Sequence, residues 1–522
     1  MSYCPIGVIW INGEARKKRR NSIIRIVFVG VSVLAQAGWI LTLALRLNEY
    51  STQISLLTSI LALVVVLRIH SHHTNTALKM PWIMLILALP VMGVCLYLLV
   101  ETLGSPRFVR KRLGLSRQAL TGIMAQEQTV LDNLDTVDKA TANQFRYLWH
   151  RCASPVYQNT QVDYYPESKL AFQAMKDALE QAQSFIFMEY FILEDGVSFS
   201  QLREILVRKA RAGVEVRIMY DDLGSIGSAN LSFARELSRD GIRCQVFNPA
   251  MPVMNLFMNN RDHRKITVID GKVGFTGGYN LSDEYFDLVR PYGHWKDLGI
   301  RLEGDAVKSL TAIFLELWNF SSGKTEDTGR YLNVAHSLPD ARGFVQPYAD
   351  GPIGPERVAE NVYLNMIHAA RETVWFMTPY LIITDEMTRA LQLAAKRGVD
   401  VRIITPGIPD KKTVYALSRS YYAGLATQGV RIFEYTPGFC HGKLCVCDGK
   451  IASIGTSNLD YRSLYLHFEN NVLLYDCPAV ADMAADLEST FRECREVTEL
   501  YRNRSGALRL WQCILRLFAP LM

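Results

Sequence analysis

The sequence predicts a duplicated α/β protein: two similar lobes, each a sheet covered by helices, preceded by an apolar N-terminal segment. Three observations carry this expectation. Strand-like and helix-like stretches alternate in the same order twice between residues 156 and 500. The run Ala212-Gly-Val-Glu-Val-Arg-Ile218 returns as Arg397-Gly-Val-Asp-Val-Arg-Ile403. His263-Arg-Lys265 followed by Asp270 returns as His441-Gly-Lys443 followed by Asp448, each trailed by small residues and an asparagine, Gly277-Gly278-Tyr279-Asn280 and Gly455-Thr456-Ser457-Asn458.

Residues 1–105 read as a membrane segment. Ile26 to Leu45 and Trp82 to Val100 are uncharged and long enough to span, while Ile54 to Leu67 is a short span or an interfacial return. The first stretch is too long for a cleavable signal and has no small-residue cleavage site. Arg16 to Arg20 put the N-terminus in the cytoplasm by the positive-inside rule, and Arg107 to Arg112 pull the following part to the same side. Both hold only with an even number of crossings, and Pro90 and Gly93 could kink the third stretch or make it re-entrant. His70, His72 and His73 form a solvated cluster between apolar segments.

Residues 106–155 read as a polar connection with weak helical character. The first lobe, 156–330, opens with a helix over Glu167 to Ser184 and a strand over Phe185 to Leu193. A helix capped at Gly213, a strand from Val214, a helix ending at Gly241 and a strand to Phe247 follow. The second lobe, 331–500, repeats this with a helix to Thr373, a strand from Val374, a helix to Gly398, a strand from Val399, a helix to Gly429 and a strand to Tyr435. Residues 501–522 close the chain as a basic amphipathic tail, with Arg509 and Arg516 among Leu508, Leu510, Trp511, Ile514, Leu515, Leu517 and Phe518.

Each repeated motif reads as a strand entering a tight turn. His263 and Lys265 project from one face of an extended chain, and Asp270-Gly271 and Asp448-Gly449 are hairpin-turn dipeptides. The aspartates therefore have a turn-shaping reading beside their place among the motif's catalytic residues. The chemistry suggested by two histidines, two lysines and two asparagines is phosphodiester transfer. One neutral histidine attacks phosphorus, the other, protonated, donates to the departing alkoxide. Lys265, Lys443, Asn280 and Asn458 hold the phosphate oxygens. Asp297 and Glu469, downstream of the two asparagines, are candidates for orienting the imidazoles. His150, His294, His336, His368 and His467 match no repeated pattern. No carboxylate cluster calls for a metal, and no cofactor is expected. The ten cysteines show no CxxC pair and read as buried thiols. A net charge of +6, much of it beside apolar segments, fits anionic lipid better than nucleic acid.

At these residues the chain resembles the phospholipase D superfamily, and within it the bacterial cardiolipin synthases. The likeness rests on the duplicated motif within Asn260-Arg-Asp-His-Arg-Lys-Ile-Thr-Val-Ile-Asp-Gly, on Tyr220-Asp-Asp-Leu-Gly-Ser225, Thr378-Pro-Tyr380, Tyr435-Thr-Pro-Gly-Phe439 and Asn458-Leu-Asp-Tyr-Arg-Ser463. Leu87 to Tyr97 and Arg516 to Leu521 also resemble that family, whereas Gly442, Thr456 and the first apolar stretch depart from it. The resemblance implies two phospholipase D-like lobes forming one pseudo-symmetric catalytic domain. It implies transfer of a phosphatidyl group between two phosphatidylglycerol molecules through a phosphatidyl-histidine, favouring His263 as nucleophile. It also implies a multi-pass protein of a bacterial cell membrane, with both half-sites on one chain and no oligomer required for catalysis. Hydrolysis by water, or another alcohol as acceptor, would use the same motif.

Overall fold

The computed structural model describes residues 52–502 except 73, 104–106, 230, 250–258, 324–327, 337, 339 and 355, together with residues 34, 37, 38, 41, 42, 515–517 and 519. The strands are β1 (Thr160–Tyr165), β2 (Phe185–Tyr190), β3 (Glu215–Asp221), β4 (Arg243–Phe247), β5 (Lys265–Ile269), β6 (Val273–Gly277), β7 (His294–Lys296) and β8 (Gly299–Gly304) in the first lobe. In the second they are β9 (Phe344–Asp350), β10 (Thr373–Met377), β11 (Asp400–Pro406), β12 (Arg431–Tyr435), β13 (Gly438–Cys440), β14 (Leu444–Cys447), β15 (Ile451–Gly455), β16 (Glu469–Tyr475) and β17 (Cys494–Glu496).

The first sheet runs β1-β8-β6-β5-β2-β3-β4 and the second β17-β12-β11-β10-β14-β15-β16-β9. Read in opposite directions the two orders correspond strand for strand, with β17 added at one edge of the second. The duplication legible in the chain is thus a duplication of topology. Helices 168–180, 197–211 and 231–239 cover the outer face of the first sheet, and 358–369, 385–396 and 412–426 that of the second. Between the sheets lies a shared core to which helices 307–322 and 478–493 both contribute. Helix 307–322 is buried at every position from Leu310 to Phe320 because it is covered on all sides. Apolar burial of this kind, at about 25 cal/mol per Å² of surface removed from water, holds the lobes together.

Residues 107–152 are more helical than their polar composition suggests, forming helices over Arg107–Thr121, Gln128–Val137 and Lys139–Cys152. Val109, Leu113 and Leu120 enter the shared core, while Val130, Leu131, Leu134, Phe145 and Leu148 enter that of the second lobe. The short helix Gly329–Leu332 still belongs to the first lobe, with Tyr331 edge-on to Phe185 and under Arg217.

The N-terminal expectation needs correcting at the third apolar stretch. Trp82 to Val100 is not one helix but parts of two, Thr76–Ala88 and Pro90–Leu103. Proline disfavours helical geometry in the residue before it, and Leu89 leaves the helix at φ −136°. A Cβ on Gly93 would lie 2.6 Å from the Ile86 Cα, so glycine lets the two helices close on each other. They pack with helix Thr52–Ser71 through Ala62, Val65, Ile69, Ile86, Val94 and Tyr97. Leu56, Leu57, Ile60, Leu63, Leu67, Met84 and Leu87 face outward. Among the described residues no helix is long and apolar enough to cross a membrane. The stretch Ile26 to Leu45 lies outside them except at isolated positions.

Most of the amphipathic tail also lies outside the described residues. Of those described, Leu515 and Ala519 are buried in the second lobe's core. Arg516 donates to the Ser420 carbonyl at 2.6 Å and lies over Tyr421.

Candidate active site

The two motifs meet where the lobes exchange strands. Just before His441, β13 pairs in parallel with β7 of the other lobe, matching Cys440 to Lys296, and the His441 N–H donates to the Lys296 carbonyl at 2.7 Å. On the other side Asp262 bridges Phe468, and the His263 N–H donates to the Phe468 carbonyl at 2.9 Å. The next residue along each partner strand is a carboxylate, Asp297 or Glu469. Each imidazole is therefore held by the opposite lobe: His441 Nδ1 lies 2.6 Å from Asp297 Oδ2, and His263 Nδ1 lies 2.9 Å from Glu469 Oε1. With Nδ1–H donating to a carboxylate, Nε2 keeps its lone pair for chemistry.

The residue after each motif's first trailing glycine, Gly278 or Thr456, sets how its carboxylate is held. A Cβ at Gly278 would come within 2.0 Å of Asp297 Oδ1, so only glycine leaves room for that carboxylate. Thr456 instead donates its hydroxyl to Glu469 Oε2. The arm carrying His263 is fixed from below by Asp221, which accepts from the Asp262 N–H at 3.0 Å and from Arg261 at 3.2 Å.

Both lysines are buried, each donating to the carbonyl of its own motif's histidine at 2.5 Å. Burial pushes Lys265 down to about 7 and Lys443 down to about 8. Burial and the neighbouring Lys265 and His467 hold His263 well below the usual histidine range. Burial and Lys443 lower His441 to about 4, against the pull of Asp297. Burial drives Glu469 well above the usual carboxylate range, whereas at Asp297 the charges of His441 and Lys443 overcome burial and lower it. The two half-sites share the crossed histidine–carboxylate pairing but differ in charge and in one contact: Lys443 Nζ also lies 3.0 Å from His441 Nε2.

Lysines charged below these values and neutral above them imply a pH dependence. As groups of the free protein they govern kcat/KM, which is expected to fall as pH rises through about 7 to 8. Because bound phosphate favours the charged lysines, kcat should hold to higher pH. A kcat/KM that stays level across that window would contradict a phosphate-binding role for both lysines.

Asp270 and Asp448, grouped with the catalytic residues by their motif, lie at the far end of their strands, about 16 Å from the lysines at roughly 3.3 Å per residue. The Asp270 carboxylate accepts from the backbone N–H groups of Gln183, Ser184 and Phe185 at 2.7 to 2.8 Å. Asp448 does the same for Arg371, Glu372 and Thr373 at 2.8 to 2.9 Å. Each has positive φ, 56° and 51°, followed by glycine at 67° and 63°, as a tight hairpin turn requires. The correction has a physical cause: a carboxylate at the turn ties the start of the neighbouring strand and cannot also reach the other end. Asp448→Ala should cost about 1–3 kcal/mol of stability, because three donors lose a charged acceptor, while the folded fraction keeps turnover within several-fold. Thermal melts and specific activity of the same preparation separate the two effects.

Asn280 Oδ1 accepts from the Ile192 N–H at 3.0 Å, and Asn458 Oδ1 is buried with no hydrogen-bond partner. His467 matches no repeated pattern in the sequence, yet its ring centroid lies 5.5 Å from that of His263, with its Nδ1 3.8 Å from Glu469 Oε1. The signal was available: in extended chain, residues two apart share a face, and His467 precedes Glu469 by two. His263, His467 and Glu469 have ligand atoms within 4.8 Å of one another, as a metal site requires. Burial, then Arg462 and Lys265, hold His467 well below the usual histidine range, and those two charges oppose a cation there. Cys440, Cys445 and Cys447 are buried free thiols.

A family model described as "Cardiolipin synthase, PLD-like domain" matches residues 175–318 and 363–493, and one described as "Phospholipase D-nuclease N-terminal" matches 57–101. The chain is 34% identical to a cardiolipin synthase of Halalkalibacterium halodurans, over 93% of this chain and 95% of that one. It is 39% identical to an uncharacterized protein of Streptococcus mutans, over 88% of this chain and 99% of that one. Its fold is similar to that of phosphatidylserine synthase from Haemophilus influenzae, with a TM-score of 0.53 at 15% identity, covering 74% of this chain and 98% of that one.

Proposed function

The chain belongs to the phospholipase D-like cardiolipin synthase family, and from that premise we propose that it moves a phosphatidyl group from one phosphatidylglycerol to another, giving cardiolipin and glycerol. The observation that carries the reaction scheme is the crossed pairing, His263 with Glu469 and His441 with Asp297, which joins two histidines and two lysines in one buried site. His263, kept neutral by burial and Lys265, is the nucleophile. Its Nε2 attacks phosphorus, and the bond from phosphorus to the departing glycerol oxygen breaks.

His441 supplies the proton for that oxygen. Burial and Lys443 keep it neutral in the free protein, so it takes up that proton as the phosphate enters, when the anion joins the ionised Asp297 in favouring the imidazolium. In the second half the terminal hydroxyl of another phosphatidylglycerol gives its proton to His441 and attacks phosphorus. The phosphorus–nitrogen bond breaks and His263 is restored. Lys265 and Lys443, with the amides of Asn280 and Asn458, hold the charged oxygens through both steps.

Attachment to a bacterial cell membrane through the N-terminal segment is part of this reading. It is supported by the apolar outward faces of helices 52–71 and 76–88 and by the matched N-terminal family model. Both half-sites come from one chain, so an oligomer is not required.

The test is to incubate purified protein in detergent micelles with phosphatidylglycerol alone and excess EDTA. Cardiolipin and glycerol are expected. Phosphatidic acid as the product would make the protein a hydrolase. Loss of activity restored by one added divalent ion would instead assign the His263, His467 and Glu469 cluster to a metal.

A further inference from the structure

We propose that two loops beside His441, residues 287–293 and 407–411, form a lip that dips into an anionic lipid surface and passes substrate from the bilayer to the site. The proposal rests on the lipid-substrate reading above and adds the surface that meets the membrane.

The tips of these loops are apolar and exposed: Leu288 is 50% exposed, Val289 49% and Ile408 39%. Exposed apolar side chains at the tips of two loops tied to the same segment mark a contact surface. The two loops form one structure. The Ile408 N–H reaches the Gly438 carbonyl at 3.3 Å, the His294 N–H donates to the Pro437 carbonyl at 3.0 Å, and a Cβ on Gly293 would lie 3.3 Å from Ile408 Cδ1.

They also continue directly into the site. Immediately behind them, β7 and β13 carry Trp295 and Phe439, whose rings lie 5.5 and 5.9 Å from that of His441. Tyr380, 6.4 Å from Phe439, donates to Asp410 of the second loop at 2.6 Å. An aromatic path thus runs from the apolar tips to the imidazole.

Charge is layered in the same direction. Arg290 stands 62% exposed, while Asp287, which it pairs with, is 8% exposed. Lys411 stands 66% exposed over an Asp410 that is 16% exposed, and Lys412 is exposed beside it. The acids face the protein and the cations face outward. A surface of apolar tips ringed by outward cations is complementary to anionic headgroups over acyl chains, not to water or to a cationic partner.

The test uses the full chain. A Leu288→Ser, Val289→Ser, Ile408→Ser variant is assayed on phosphatidylglycerol in vesicles and on a short-chain phosphatidylglycerol below its micelle threshold. Loss of roughly tenfold or more on vesicles is expected, with turnover on the monomeric lipid within about twofold, since three apolar contacts with the bilayer are removed. Equal loss on both substrates, or no loss on either, overturns the proposal. A second measurement needs no turnover: the photoreactive residue p-benzoylphenylalanine in place of Ile408, in protein reconstituted into phosphatidylglycerol vesicles. Crosslinking to lipid supports the lip, and its absence overturns it. Wild-type protein inactive on both substrates but crosslinked at 408 would mean that the transferase reading had failed and the lip had not.

Discussion

His263→Ala and His441→Ala are each expected to lower phosphatidyl transfer by more than about a thousandfold, because one cycle needs both a nucleophile and a proton donor. The two losses should not multiply in the double variant, since residues that act in one cycle fail together. They should differ in kind. Without His263 no covalent intermediate can form. Without His441 the attack still has its nucleophile, and a substrate whose leaving group needs no proton should recover part of the rate. An activated phosphatidyl ester such as a p-nitrophenyl derivative tests this directly. Rescue of His263→Ala but not of His441→Ala would reverse the assignment of roles. Near-wild-type turnover by either variant on phosphatidylglycerol would end the shared-site model.

Asp297→Asn and Glu469→Gln should each lower turnover by about a hundredfold or more with the fold intact, because a carboxamide can present a donor to Nδ1 and favour the wrong imidazole tautomer. The two should not be equal. Asp297 stays ionised and supports the imidazolium of His441, so its replacement removes charge as well as orientation. Glu469 is pushed toward its neutral form by burial, so the Gln variant changes hydrogen bonding more than charge. The larger loss is therefore expected at Asp297. Melting temperatures near wild type would show that orientation has been lost without the fold. If both variants turned over at the wild-type rate, the crossed carboxylates would be structural only, and the account of the two half-sites would have to change.

Much of the fold was legible because its signals are local. Gly213 and Gly241 in the first lobe, and Gly398 and Gly429 in the second, mark helix ends through positive φ, between 87° and 97°. The strands after them begin within a residue or two of where alternation places them, as β3 and β11 do. The two His-x-Lys pairs follow from the two-residue period of extended chain, and both lysines and both histidines do come together. Other features were not local. The helices of residues 107–152 show their apolar faces only when both lobes are there to receive them. Asp270 and Asp448 share a motif with the reacting groups, but the length of β5 or β14 separates each turn from the site.

What the sequence determined by itself is the duplication, the reactive side chains and the family, because spacing along the chain preserves pattern and chemistry alike. The tertiary structure alone decided who serves whom. His263 and Glu469 are 206 residues apart, and His441 and Asp297 are 144 apart. No periodicity reaches across such distances. The pairs cross because two similar sheets pack around a shared core in opposed directions, so that the strand beside each histidine is supplied by the other lobe.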